Sequence, residues 1–421
     1  MPFLTLADPR ATIKGSRDPL GLQSIWTRFG RQVVTNLTTV TTSVRGFTTL
    51  LMGLYFAEQA VAQRKASEAE FSDLFLKFEQ LAAYSRVNID RTEEGILGIQ
   101  RVKKNLAAGT GKVRIAASQD CQILSNQKTY GLWGLYTVAA RNSGLLEAGR
   151  PRLTADAVEF VESEYLPRLD REGQTVFPFL ERDRMFEPGR ADSKLASSLA
   201  RILGARLTAS EKAFYADYLL FGGEQDSFQD RLWKQIRLLG SDDDFSMLEL
   251  KAVIEQARSG GDDALVYRLE NIRQVELVIA PLAVLFGYIL SQDGQTVADV
   301  ATHLEQTWGR LAHLDASAFK HALLTIEDVG NETRSRLISL AEALQAGDYV
   351  QILELLLAQN KAVMLERGSD AWVMQKNNQL DVRFRDESQF LHEKIRLPDL
   401  WLNTYFINSL KTIGLQVNGR R

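Results

Sequence analysis

The segment 128–167 reads KTYGLWGLYTVAARNSGLLEAGRPRLTADAVEFVESEYLP and decides how the fold is interpreted. Apolar residues at helical spacing in Tyr130–Ala140 predict a helix, which Gly144 ends. Turn-forming residues follow at 148–151, and Thr154 is a good N-cap for a second helix whose first turns are acidic. The order of elements is therefore helix, short hairpin and helix.

This order of elements is the layout of a winged-helix domain, with Arg150 and Arg152 at the wing. The same pattern also arises when a hairpin merely joins two helices. A winged helix can in addition bind protein rather than nucleic acid, so the pattern alone leaves the partner open.

The remainder of the chain has mostly helical periodicity, except that alternating side chains flank Asn377-Asn378 and predict a hairpin at 372–384. We expect a mainly α, multi-helical fold with an embedded winged-helix-like helix–hairpin–helix and a small C-terminal β-hairpin. Helix should account for about 60% of the chain, well above the usual third. We predict four domains. They are a basic helical domain at 1–125, a winged-helix-like domain at 126–185, a second helical domain at 186–365 and a hairpin-plus-helix domain at 366–421.

The composition excludes several classes of protein. The 421 residues are 45% apolar and 24% charged, which argues against disorder and against a fibrous repeat. The only cysteine is Cys121, and with four histidines it makes neither a disulfide framework nor a zinc cluster plausible. The apolar stretches Gly46–Ala57 and Leu277–Leu290 fall short of the roughly 20 residues that cross a bilayer. We expect buried core helices, no metal or other cofactor, no membrane partner and a cytoplasmic location.

Charge is distributed unevenly along the chain. The first 152 residues carry a net charge of +8 and the other 269 carry −11. Within 95–152, nine basic residues face only Asp120 and Glu147. Such segregation favours a surface that faces a polyanion, although two mutually attracting domains would produce it too. The predicted nucleic-acid-binding residues are Lys103, Lys104, Lys112, Arg114, Lys128, Arg141, Arg150 and Arg152.

Two candidate catalytic motifs have simpler explanations. The segment Gly109-Thr110-Gly111-Lys112 lacks two parts of a phosphate-binding loop, because Leu106 stands where a glycine is needed and Val113 where a serine or threonine is needed. It is better interpreted as a glycine-rich loop within the basic segment. Asp244, Glu249 and Lys251 could form the acid–acid–lysine set of a metal-dependent nuclease. Acidic residues at the start of a helix need no metal to explain them.

A resemblance to a group of bacterial proteins rests on three segments of the sequence: Asp18–Arg31, Asn36–Thr39 and Arg45–Glu58. Their layout is similar to that of uncharacterised bacterial proteins found near helicase, nuclease and methylase genes in phage-defence islands. In those proteins a short leader precedes a threonine-rich loop, an arginine and an aromatic-rich helix that ends in glutamate. The apolar segment Val275–Leu290 has a loose counterpart there. The resemblance implies a subunit associated with antiviral defence and implies no particular activity.

The sequence thus predicts a non-enzymatic nucleic-acid-binding or adaptor subunit of a bacterial multi-protein complex. Its partners would be proteins encoded nearby, with duplex DNA contacted through phosphates and with little sequence preference. A protein–protein scaffold that makes no nucleic-acid contact is the first alternative. A nuclease that uses Asp244, Glu249 and Lys251 is the second.

Overall fold

A computed structural model describes residues 18–63, 67, 70–108, 111–222, 224, 226–384 and 391–418. Helix accounts for 63% of these residues, which confirms the prediction of a mainly α fold. The α-helices in chain order are α1 Gln23–Arg31, α2 Val44–Ala62, α3 Phe71–Ile89, α4 Ile99–Ala108, α5 Gln127–Tyr130, α6 Leu132–Asn142, α7 Ala155–Phe160, α8 Leu166–Leu169, α9 Phe177–Glu181, α10 Ser193–Ile202, α11 Ala209–Tyr215, α12 Phe228–Leu239, α13 Met247–Ser259, α14 Asp263–Ile289, α15 Val297–Thr307, α16 Ala316–Leu324, α17 Asn331–Ala346, α18 Tyr349–Glu366 and α19 Ile407–Asn418.

The described residues form two compact units, each assembled from two separate stretches of chain. The first unit contains 18–33 and 243–405, and the second contains 34–242 and 406–418. Both units are predominantly helical, and each contains one small antiparallel sheet. These sheets are β1 Val113–Ile115 with β2 Arg184–Phe186 in the second unit, and β3 Val373–Lys376 with β4 Gln379–Val382 in the first.

The first unit is organised around α14, which contacts α1, α13 and α16. By length and composition alone α14 could cross a membrane, yet 72% of its most apolar 18-residue window is buried inside the fold. Asp262 begins it by accepting a hydrogen bond from the Leu265 backbone N–H at 3.1 Å, and Pro281 lies inside it. This burial fits the core-helix interpretation of the apolar segment.

The β3–β4 hairpin confirms the predicted hairpin at 372–384. Asn377 and Asn378 occupy its two-residue turn with φ values of 50° and 65°, the left-handed conformation that asparagine tolerates best among residues other than glycine. The outer edge of β4 is extended by backbone contacts of Leu380 with Gly294 and Gln295. The hairpin is therefore joined to the segment that precedes α15.

In the second unit, α2 and α3 form the central pair, with α10 packed on α3 and α6 on α2. Nearly every side chain of α2 is buried, because the helix is apolar on all sides. Two five-residue π-helical turns, Val161–Tyr165 and Ala216–Leu220, continue α7 and α11. The β1–β2 sheet pairs Val113 with Phe186 and was not predicted from the sequence.

The predicted wing contains no strand. Leu146 and Leu153 form a single isolated bridge, and the Glu147 backbone N–H donates to the Arg152 carbonyl oxygen at 2.8 Å. Pro151 has no N–H to contribute, so few ladder bonds can form in this short turn. The structure describes two helices joined by the irregular segment 143–154, and this geometry alone does not establish a winged helix.

Apolar residues at helical spacing predict one helix over 397–414, and this prediction is wrong in the first half of the segment. A 3₁₀ turn, Lys394–Asp399, is followed by irregular backbone until α19 begins at Ile407. Tyr405 and Phe406 adopt φ values of 46° and 63°, which interrupt any helix. The Glu276 carboxylate accepts hydrogen bonds from this stretch, and these bonds compete with the helix-forming propensity of its sequence.

Candidate functional site

The eight predicted basic residues all lie in the second unit. They occupy two helical positions in α4, the position just before β1 and the middle of β1, single positions in α5 and α6, and two positions in the connection before α7. In that order they are Lys103 and Lys104, Lys112 and Arg114, Lys128, Arg141, Arg150 and Arg152.

The structure brings Lys128 and Arg152 to one pair of aromatic rings. The Arg152 guanidinium carbon lies 4.2 Å from the Phe71 ring centroid, and the Lys128 Nζ lies 5.9 Å from that of Trp133. The two rings contact each other edge to face at 6.0 Å. Lys128 also donates to the Ser72 hydroxyl at 3.1 Å. Since an aromatic face attracts a cation, the start of α3 positions two basic side chains from distant parts of the sequence.

Two of the eight residues are neutralised by carboxylates. Lys112 forms an ion pair with Glu187 at 2.9 Å, and Arg114 forms one with Asp183 at 3.1 Å. These pairs cross the β1–β2 sheet and its flanks, so they stabilise the unexpected sheet and reduce the positive charge available to a ligand. All four side chains are partly exposed, which limits the contribution of each pair to stability to about 1 kcal/mol or less.

The other predicted basic residues differ in their exposure to solvent. Lys104 and Arg150 are exposed and form no ion pair with another described residue, whereas Arg141 is half-buried and its Nε atom is buried without a hydrogen-bond partner. Lys103 and Arg91 both line a cavity of about 210 Å³ against the end of α3. The exposed and weakly paired cations are thus Lys104, Lys128 and Arg150.

Two of the three residues of the nuclease hypothesis, Glu249 and Lys251, have structural partners. Glu249 completes a capping box with Ser246, whose hydroxyl accepts from the Glu249 N–H at 3.3 Å. Lys251 forms an ion pair with Asp399 at 2.7 Å. Among the residues that the structure describes, no group of three His, Cys, Asp or Glu side chains converges on a possible metal position. The capping box and the ion pair account for Glu249 and Lys251 without catalysis.

A polar cavity in the second unit was missed by the sequence analysis. Its volume is about 350 Å³, within the range of small-molecule sites, and its walls come from α2, α3, α6 and the segment 94–97. Glu79 of α3 lines it with only 3% of its surface exposed. The one sequence signal was a carboxylate inside the apolar run of α3, which a solvent-facing position would have explained equally well.

Glu79 is held by two hydrogen bonds. Its Oε1 atom accepts from the Leu132 backbone N–H and its Oε2 atom from the Gln127 side-chain amide, both at 2.8 Å. No described lysine or arginine forms an ion pair with it. Burial raises the pKa of Glu79 to about 7, and the two hydrogen bonds only partly oppose this effect.

Arg86 and Tyr136 form another part of the cavity wall. Arg86 is paired with Glu93 at 2.9 Å, and its Nε atom is buried without a hydrogen-bond partner in the described structure. Burial lowers the pKa of Arg86, and the nearby Glu93 opposes the shift. Burial also raises the pKa of the Tyr136 phenol to about 12. The cavity therefore combines apolar walls with a few buried titratable groups, the usual makeup of a ligand site.

Comparison with known proteins adds no relative, because no family model, curated protein or solved structure matches the chain. The indications of function are therefore the basic side chains of the second unit and the cavity beside Glu79.

Proposed function

We propose that this protein is a non-enzymatic nucleic-acid-binding subunit that contacts phosphates through the second unit. The observation that carries the proposal is the convergence of Lys128 and Arg152 on the Phe71–Trp133 pair. Arg150 lies exposed two residues before Arg152, so three cations come from α5 and the turn before α7. We call Lys128, Arg150 and Arg152 the basic cluster.

The charge of the two units supports this assignment. The second unit and its C-terminal residues contain 30 basic and 26 acidic residues, whereas the first unit and its N-terminal residues contain 20 basic and 27 acidic. A net charge of +4 against −7 would direct a polyanion to the second unit. Basic side chains without a groove-reading array of amides favour phosphate contact over base readout.

The same proposal includes four further assignments. They are a winged helix at 128–167, an association with phage defence, a cytoplasmic location and assembly with proteins encoded nearby. A winged helix would present Arg150 and Arg152 at its wing, and both residues lie in the connection between α6 and α7. The scaffold alternative uses the same connection to contact a protein.

Duplex binding measured at several salt concentrations tests the proposal. Each phosphate contact that is lost should flatten the plot of log K against log salt by about 0.9. The variant Lys128→Gln/Arg150→Gln should therefore weaken binding of every duplex sequence and flatten the slope by about two units. Arg152 is left in place because its stem packs on Phe71, and its removal would disturb folding as well as charge.

The matched control is Lys320→Gln/Lys376→Gln, which removes two exposed lysines from the first unit. It should leave both affinity and slope close to those of the native chain. Absence of duplex binding at low salt would overturn the proposal. In that case, loss of a co-purifying neighbour protein in Lys128→Gln/Arg150→Gln, with retention in Lys320→Gln/Lys376→Gln, would identify the scaffold function.

A further inference from the structure

The buried carboxylate Glu79 has no cationic partner, although it borders an accessible space. It contributes to the wall of the 350 Å³ cavity, and neither of its two hydrogen-bond donors, the Leu132 N–H and the Gln127 amide, carries a charge. A buried carboxylate is stable in its ionised form only when a positive charge approaches it. The cavity is the place from which such a charge can come.

The cavity wall selects the sign of the ligand. Arg86 is already balanced by Glu93, and Glu94 contributes a further carboxylate to the lining. With Glu79 ionised the wall therefore carries a surplus of negative charge. An anionic ligand would meet the carboxylates of Glu79 and Glu94 beside an Arg86 that is already paired with Glu93, whereas a cation would meet an uncompensated carboxylate.

The wall also limits the shape of the ligand. Apolar side chains of α3, α6 and two loops complete the lining: Ala82, Ala83, Leu132, Ile96, Leu97 and Ile123. These groups favour an apolar body of modest size, since the volume is near the lower end of known ligand pockets. Each carboxylate oxygen of Glu79 accepts one hydrogen bond and has a second lone pair, so two acceptor positions remain for an N–H donor.

We propose that this cavity binds a compact primary ammonium compound with an apolar body, whose charged nitrogen pairs with the carboxylate of Glu79. The site is independent of the basic cluster, and its ligand has the opposite charge to nucleic acid. The protein would thus carry a small-molecule site in the same unit as its phosphate-binding surface.

Three probes that share a cyclohexyl body test the ligand class: cyclohexylammonium, neutral cyclohexanol and anionic cyclohexanecarboxylate. Calorimetric titration of the full chain at pH 7.5 should show binding of the ammonium compound at least tenfold tighter than that of the alcohol, and none of the carboxylate. A charge-assisted hydrogen bond in a buried site is strong enough to produce such a ratio. Equal affinities for ammonium and alcohol, or no binding of the ammonium compound, would overturn the proposal.

Two variants locate the site. Glu79→Gln should reduce ammonium affinity at least tenfold and remove the preference over the alcohol, while Glu354→Gln, an exposed carboxylate of α18, should change neither. Ile96→Trp keeps Glu79 and fills the cavity from a partly exposed loop position, so it should block the probe even if Glu79→Gln fails to fold. Unchanged ammonium binding in Ile96→Trp would show that the probe binds elsewhere and would refute the assignment.

Discussion

The carboxylate of Glu276 accepts a hydrogen bond from the hydroxyl of Tyr405 at 2.8 Å, across 129 residues of sequence. The same carboxylate accepts from the backbone N–H groups of Leu402 and Asn403 at 2.6 and 3.0 Å and from the Asn403 side-chain amide at 2.9 Å. Burial raises the pKa of Glu276, which the hydrogen-bond donors oppose, and burial raises the pKa of Tyr405 as well. One side chain in the middle of α14 therefore fixes the path of residues 402–405.

Removal of this carboxylate should destabilise the first unit severely. Glu276→Ala leaves four donors of the 402–405 segment without their acceptor, and each orphaned buried donor costs about 1–3 kcal/mol. We expect the free energy of unfolding to fall by at least about 3 kcal/mol in chemical denaturation. The exposed control Glu354→Ala should change it by less than about 0.5 kcal/mol. A loss below 1 kcal/mol in Glu276→Ala would show that the segment is held by other contacts.

The buried ion pair of Arg45 and Glu211 should be equally sensitive in the second unit. The Arg45 guanidinium donates to Glu211 at 2.5 Å and to the carbonyl oxygens of Gly204 and Arg206 at 2.5 and 2.7 Å. Arg45→Met leaves the fully buried Glu211 carboxylate without its principal partner, which should cost about 3–5 kcal/mol.

Lysine at position 45 should restore only part of this loss, because an ammonium group cannot serve the carboxylate and both carbonyls in one plane. The exposed Arg190→Met is the control, with an expected change within about 0.5 kcal/mol. Denaturation curves of the three variants measure these differences. Full recovery in Arg45→Lys would indicate that charge alone, and not the planar geometry, stabilises the site.

The stability of the protein should depend on pH through Glu79. Its folded-state pKa of about 7 lies above the ordinary value of 4.5, so its neutral form is favoured by folding. This contribution is fully present below pH 4.5 and is lost as the pH rises through 7. The shift corresponds to a maximum of about 3 kcal/mol.

Glu79→Gln removes the titrating group and should flatten the pH dependence between 4.5 and 7. The variant should also be less stable at low pH. The side-chain NH2 group that it introduces at position 79 would face another hydrogen-bond donor, either the Gln127 amide or the Leu132 N–H. Unfolding free energies of both chains at pH 5 and pH 8 provide the comparison. An unaltered difference between the two pH values in the variant would assign the dependence to other groups.

Gly46 should not tolerate alanine despite its position inside a helix. Alanine usually stabilises a helix by about 1 kcal/mol relative to glycine. A Cβ atom on Gly46 would lie 2.4–2.8 Å from ring atoms and the hydroxyl of Tyr136, so the ring must move. We expect Gly46→Ala to lower the free energy of unfolding by about 1–3 kcal/mol.

Gly173 provides the matched control, because a Cβ atom there meets nothing closer than 3.8 Å. Gly173→Ala should be neutral or slightly stabilising in the same thermal or chemical denaturation experiment. Stabilisation in Gly46→Ala comparable to that in Gly173→Ala would mean that Tyr136 adjusts at little cost.

Local signals were sufficient for much of the fold. The capping box of Thr208 and Glu211, the cap of Asp262 and the turn at Asn377-Asn378 each depend on residues within four positions of one another. Such features can be recognised in a sequence because their hydrogen bonds form between chain neighbours. The hairpin predicted at 372–384 follows from its turn, and contacts of the same local kind fix where α11 and α14 begin.

Contacts between residues far apart in the sequence determined the parts of the fold that local signals do not explain. The strand Val113–Ile115 is three residues long and pairs with a segment some 70 residues later, so neither strand has a recognisable pattern of its own. The helix predicted over 397–414 is interrupted by contacts to Glu276, which no local rule places nearby. For the candidate sites, charge counting identified Lys128 and Arg152 but could not identify Phe71 as the ring that holds Arg152.

The division of each unit into two stretches of chain has a consequence for synthesis. Helix α1, at 23–31, is synthesised well before α14, the helix that it contacts, which begins at residue 263. Residues 34–242 must likewise wait for α19, at 407–418, before α12 and the π-helical turn at 216–220 acquire their neighbour. Neither unit can therefore fold from one contiguous stretch of chain before the later residues are synthesised, although N-terminal domains usually fold first. In each unit the core stays incomplete until the later of its two stretches has been synthesised.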